Sequence, residues 1–153
     1  MAEKGFGVKE IKFVGSGDAV ERLRSLGAQV DNPCSSKEVP FILSQADIGL
    51  LHLPNRPEWR GASPLKVSEY AAAGMCVISS DVSGLSEFKD EEWLTLVPLG
   101  DDSGFLSATN DLIQSGMDEI RRKGELAKKW AIKNRDWSVC VNDLEKLIID
   151  SLN

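Results

Sequence analysis

The densest chemistry in the chain lies in Ser63-Pro64-Leu65-Lys66, followed three residues later by Glu69 in Glu69-Tyr70-Ala71-Ala72-Ala73-Gly74. Serine is a good helix N-cap and proline suits a first helical position, so the pattern predicts a helix start at Ser63-Pro64. The unpaired N–H groups of such a start, with the positive end of the helix dipole, attract an anion. Lys66 adds a positive charge at the same place. Glu69 projects from the same face three residues on, one turn further from that anion, at a distance that suits ribose hydroxyls. The competing reading is a solvated Lys66–Glu69 surface pair. Together these residues describe a nucleotide diphosphate site.

The residues beyond this helix narrow the choice. Gly74 caps it, Met75-Cys76-Val77-Ile78-Ser79 reads as a short buried strand, and Ser80-Asp81-Val82-Ser83-Gly84 as a polar loop before Leu85-Ser86-Glu87-Phe88. From Ala46 to Phe88 the text ADIGLLHLP, SPLKVSEYAAAGMCVISSDVSGLSEF resembles the nucleotide-sugar-binding half of the family-four glycosyltransferases, the retaining enzymes of the GT-B fold. Their signature runs ADIGL, SPLKxxEYxAAGxPVV, SDxxGxxE. The stretch IKFVGSGDAVERLRSLG is similar to the strand, turn and helix that precede this segment in the family, and KKWAIKNRDWSVCVNDLEKLI to its closing helices. The resemblance thus extends over most of the chain from Ile11.

The resemblance carries implications for individual residues. Glu69 matches the second glutamate of the family's E-x7-E motif, which binds the ribose. Ser63 and Leu65, with Pro64 between them, match positions that hold the diphosphate. Lys66 is implied to assist departure of that group, which makes Lys66 and Glu69 the catalytic candidates. The loop from Asn32 to Ser36, Asn32 and Ser35 in particular, is implied to flank the base. Gly61 stands where the motif has its first glutamate, the residue that faces the transferred sugar. The family's reaction is retaining and commonly metal-independent, so no cofactor is implied beyond a nucleotide-sugar donor. The implied partner is a separate acceptor-binding domain or subunit. The resemblance also implies that the chain opens at the domain's second strand, with the sheet closed around the gap or completed by another segment or a partner chain.

Composition bounds these expectations. The 153 residues are 42% hydrophobic and 27% charged, ordinary values for one globular domain spanning residues 1–153, with 1–9 read as a loose tail. A net charge of −6 argues against nucleic acid. No apolar run reaches the length of a membrane span and the start lacks a signal-peptide core, so a cytoplasmic protein is expected. Cys34, Cys76 and Cys140 form no CxxC pair, and the single histidine, His52, assembles neither a metal cluster nor a catalytic triad.

The elements that must position the candidates alternate. Strands are predicted at 11–14, 28–30, 48–53, 76–79 and 95–97, and helices at 18–26, 38–45, 64–73 and from 104 to 114. Two longer helices come last, at 118–133 and 137–152, the second capped by Asp136. This order predicts a Rossmann-like α/β fold, a parallel sheet of about five strands with flanking helices and a helical C-terminus, its ligands at the carboxyl ends of the strands. Gly15-Ser16-Gly17 starts a dinucleotide fingerprint, but Val20 occupies its third glycine position and Asp31 comes too early to be the ribose acid, which argues against a dehydrogenase. A flavodoxin-like regulator lacks its acidic cluster. In the loop Pro54 to Gly61, Arg56 and Arg60 can approach phosphates and Trp59 can stack on a sugar or base; the competing reading is a solvated loop whose tryptophan packs against the body. Trp130 and Trp137 are expected to anchor the terminal helices. The alternative to a transferase is a non-catalytic nucleotide-binding module derived from one.

Overall fold

The computed structural model describes residues 10–152; the tail expected at 1–9 falls outside them. The chain divides into two compact units, Met1–Leu43 and Ser44–Asn153. In the first, β1 (Lys12–Val14) and β2 (Gln29–Asp31) pair in parallel, with Phe13 opposite Val30. Helix α1 (Val20–Ser25) connects them, and α2 (Val39–Leu43) comes next. Lys12 Nζ lies 3.5 Å from the Asp31 carboxylate, which also accepts a hydrogen bond from Gln29 Nε2 at 2.9 Å.

The second unit carries a three-stranded parallel sheet in the order β3-β4-β5, formed by Ile48–Leu51, Cys76–Asp81 and Leu94–Pro98. Ile48 pairs with Cys76 and Val77 with Leu94. The fold is parallel α/β, and its five described strands are divided between two sheets. The first five residues of β4 are buried, as expected for an apolar strand covered on both faces. On one face Val77 packs with Val67 and Ala71 of α4 (Leu65–Ala73), Ala127 and Ala131 of α6 (Met117–Arg135), and Trp93. On the other, Cys76 and Ile78 pack with Phe105 and Leu112 of α5 (Asp102–Gln114).

Gly74 ends α4 with φ of 83°, a left-handed conformation that glycine adopts without a Cβ clash and that turns the chain directly into β4. The Asp101 carboxylate caps α5 by accepting from the Gly104 amide at 2.9 Å. That cap starts the helix two residues before the predicted Gly104. Asp136 caps α7 (Trp137–Ser151) as predicted, accepting from Ser138 N at 2.9 Å. Trp130 sits against Phe88 and Trp93, with ring centroids 4.9 and 5.0 Å apart. Trp137, by contrast, is 83% exposed and does not anchor its helix among the described residues, where α7 buries none of its side chains.

Candidate functional site

In a β–α–β unit with parallel strands, the connecting helix runs back against the sheet and starts at the carboxyl ends of the strands. This places the beginning of α4 beside the ends of β3 and β4, with the connection Pro54–Ser63 leading into it. That connection contains a short helix, α3 (Pro57–Arg60), where the sequence pattern predicts only loop. A 3-10 turn at Ser83–Phe88, in another stretch without a predicted element, comes after β4.

Hydrogen bonds hold the connection at both ends. Near its start, Leu53 N donates to Ser80 Oγ at 2.9 Å, and Ser80, only 2% exposed, donates in turn to Leu53 O at 3.4 Å. Near its end, Ser83 Oγ donates to the Arg60 carbonyl at 3.0 Å and Gly84 N to the Ala62 carbonyl at 3.2 Å. Gly84 comes so close that a Cβ on it would overlap the Ala62 carbonyl oxygen and lie 2.7 Å from Ser63 Cα. Only glycine fits there without moving the backbone that introduces α4.

The helix begins at Leu65, one residue later than the sequence pattern suggests. Pro64 occupies the N-cap position with φ −75° and ψ 111°, and no side chain caps the helix. Ser63 is therefore not the cap. The Gly84 contact holds Ala62 and Ser63 in place, and the chain turns helical after the extended proline. Ser63, Leu65 and Lys66 are all exposed, Leu65 at 76%. The Lys66 ammonium donates to Glu69 Oε2 at 2.6 Å, with side chains 53% and 42% exposed. The two thus share one face as predicted, and they pair with each other. Tyr70, the next residue, is largely buried; that burial is the main reason its phenol lies above its ordinary pKa. Its ring leaves no room for a side chain at Gly49 of β3, where a Cβ would stand 2.5 Å from Tyr70 Cδ2.

A second junction borders the connection. His52 Nε2 lies 2.9 Å from Asp102 Oδ1, and the His52 ring packs edge-on against Phe105 at 4.9 Å. Gly100 sits against the Asn55 side chain. The beginning of α5 therefore braces the beginning of the loop, fifty residues away in sequence.

Arg60, Ser63, Pro64, Leu65, Lys66 and Glu69 all fall on the α3–α4 segment of the second unit. Asn32 and Ser35 belong to the first unit. Asn32 is exposed just beyond β2. Ser35 is engaged locally: its hydroxyl and amide donate to Glu38 Oε2 at 2.6 and 2.8 Å, and these bonds hold the Glu38 carboxyl below its usual pKa.

Sequence reasoning treats Ser83 and Gly84 only as part of a polar loop and misses that they tie down the start of α4. The glycine shortly after the strand is the available signal, but what it approaches lies some twenty residues upstream. Two clefts lie elsewhere. One, with Asp47, Gly74, Arg121 and Lys128, sits at the opposite, amino end of the strands; the other, with Val14, Gly17, Val20 and Leu23, is in the first unit. Among the described residues no cluster of three or more His, Cys, Asp or Glu is arranged to hold a metal ion. No described helix is long and apolar enough to cross a membrane.

Comparison with curated proteins finds no match. A family model described as "Glycosyl transferases group 1" matches residues 4–115. The matched stretch contains both small sheets, the α3–α4 segment and α5, and it stops before α6 and α7. It covers well over half of the chain and is consistent with a GT-B-like donor domain, so the chain belongs to the group 1 glycosyl transferases.

Proposed function

We propose that this chain is the donor-binding part of a retaining glycosyltransferase that takes a nucleotide diphosphate sugar and works with an acceptor-binding domain or subunit, in the cytoplasm. The observation that carries the reading is the uncapped start of α4 at the carboxyl end of the sheet, held by Gly84, with Lys66 and Glu69 within one turn.

The chemistry arises from those groups. Transfer breaks the bond between the anomeric carbon and the phosphate oxygen. The nucleoside diphosphate departs with the electron pair, and an acceptor hydroxyl adds on the same face, passing its proton to the departing phosphate oxygen. Negative charge grows on the departing phosphate, and the first amides of α4, aided by the helix dipole, stabilise it where it develops. Lys66 turns from Glu69 to the phosphate, which leaves the Glu69 carboxylate to accept hydrogen bonds from the ribose hydroxyls. The Lys66–Glu69 pair is exposed, so exchanging it for these contacts costs at most about 1 kcal/mol.

The test is a titration of UDP, GDP and ADP into isotopically labelled protein, followed by chemical-shift perturbation. The expected result is saturable shifts over residues 63–69 for one nucleotide, weakened about tenfold or more in Glu69→Ala. If none of the three perturbs these residues at millimolar concentration, the chain has no working donor site. Gly61, in the position of the motif's first glutamate, favours one alternative, a nucleotide-binding module without transfer activity. Transfer from the matching nucleotide sugar in the presence of a separate acceptor domain decides against that alternative.

A further inference from the structure

The short helix α3 carries more charge than its neighbourhood explains. Arg56 is the extended N-cap of α3, and Trp59 and Arg60 follow three and four residues later within its single turn, so two cations and an indole are gathered in one short stretch. Neither guanidinium has an ion-pair or side-chain hydrogen-bond partner among the described residues, in a chain whose net charge is −6. Two like charges four residues apart in one short segment repel each other, and an anion that both reach relieves that repulsion. Trp59 is 38% exposed and belongs to neither core cluster, so part of its surface is open to solvent, and it adjoins Arg60 in the chain.

The patch is also preorganised. Pro54 and Pro57 fix the backbone at either side of Arg56, and the Arg60 carbonyl is held by Ser83 Oγ at 3.0 Å. With the diphosphate on the α4 start and the ribose on Glu69, the sugar end of a donor lies on the side of the residues that precede α4. α3 is the element there. A guanidinium fork matches a planar carboxylate through two parallel hydrogen bonds, and a flat indole covers the apolar face of a pyranose.

We propose that this segment binds the carboxylate-bearing sugar of a nucleotide-linked uronic acid, with Arg56 and Arg60 on the carboxylate and Trp59 on the ring. These three residues then set the sugar specificity of the donor site, an inference that rests on the donor reading above.

The experiment is calorimetric titration of the full chain with UDP, UDP-glucose and UDP-glucuronic acid, and in parallel with GDP, GDP-mannose and GDP-mannuronic acid. The wild type is compared with Arg56→Ala/Arg60→Ala and with Arg60→Lys, which keeps the charge and loses the fork. All three positions are exposed, and a melting curve checks each variant's fold. The expected wild type prefers the acidic sugar to its neutral counterpart by roughly tenfold, a preference that collapses in the double variant and is reduced in Arg60→Lys. Equal wild-type affinity for the acidic and neutral sugars overturns the inference and leaves the donor reading standing. So does a double variant that weakens nucleotide, neutral sugar and acidic sugar by the same factor, because the arginines then read the diphosphate. Failure of every nucleotide to bind removes the donor reading itself, and the inference with it.

Discussion

Replacing Gly84 by alanine tests whether its close approach to the start of α4 positions the site. The new Cβ would overlap the Ala62 carbonyl oxygen and stand 2.7 Å from Ser63 Cα and 2.9 Å from Ser63 Cβ. Ordinary carbon contacts are about 3.5–4.0 Å, so the Ala62–Ser63 backbone must retreat by roughly 0.8 Å. Gly84 is not among the glycines with positive φ, so the penalty is steric rather than conformational. Forcing a methyl into packed structure costs about 1–3 kcal/mol, and weakening the Gly84 N to Ala62 O bond adds about 1 kcal/mol. The sum of about 2–4 kcal/mol corresponds to a melting temperature lower by roughly 5–10 °C. A displacement of that size at a positioned group costs up to about a hundredfold in function, so nucleotide affinity falls as well. Gly61→Ala is the control: a Cβ there meets nothing within 4 Å, so melting and binding stay close to wild type. Thermal denaturation and nucleotide titration of both variants read the result. A Gly84→Ala protein that melts within about 1 °C of wild type and binds equally well would refute the reasoning.

Three further outcomes are expected. Ser63→Asp puts a carboxylate at the start of α4, which stabilises the helix by about 0.3–1 kcal/mol through the dipole while repelling a phosphate, so melting rises as nucleotide affinity falls; a fall or rise in both contradicts an anion site there. The Gly104 amide and then the Ser103 hydroxyl hold the Asp101 carboxyl below its ordinary pKa, and the Ser138 hydroxyl and amide do the same for Asp136. Carboxyls depressed by folding contribute stability that is complete above their unfolded pKa near 3.9 and is lost as pH falls through the folded values, so helicity followed by circular dichroism declines below about pH 4, and less steeply in Asp136→Asn, which keeps an acceptor and does not ionise. Burial pushes the Cys76 thiol up to about 11 while Cys140 is exposed, so a thiol reagent at neutral pH labels Cys140 first and reaches Cys76 only on unfolding; rapid labelling of Cys76 in the native protein would contradict its place in the core.

The regular part of the fold is legible in the sequence because its signals are local. Apolar runs such as Cys76–Ile78 mark buried strands, Gly74 marks the end of α4, and Asp136 marks the start of α7. The boundaries move where a cap outweighs periodicity: Asp101 starts α5 at Asp102, and a proline at the N-cap delays α4 to Leu65. α3 and the turn at Ser83–Phe88 escape prediction because four to six mostly polar residues carry no usable period. Trp137 misleads because an aromatic residue in a helix is usually buried, whereas it stands next to the Asp136 cap on a helix without a buried face. The candidate residues of α4 are visible in the text. The groups that hold them, Ser80, Ser83, Gly84 and the His52–Asp102 pair, act over 22 to 50 residues and leave no local pattern.

The helix starts of the second unit differ in a way that bears on which of them can receive an anion. α5 begins with Asp101 and Asp102, α6 has Asp118 and Glu119 in its first turn, and α7 starts from Asp136. A carboxylate in such a place satisfies amides that a phosphate would otherwise use and adds repulsion of its own sign. α4 alone among these long helices starts without a carboxylate in its cap or first turn, and the charged residue there is Lys66. Its intrinsic stability is the poorer for it, since an uncapped start gives up about 1 kcal/mol relative to a capped one. The surrounding fold compensates: Val67 and Ala71 are fully buried against the sheet and α6, and Gly84 clamps the entering chain. A helix held by its packing rather than by its cap can leave its first amides for a ligand.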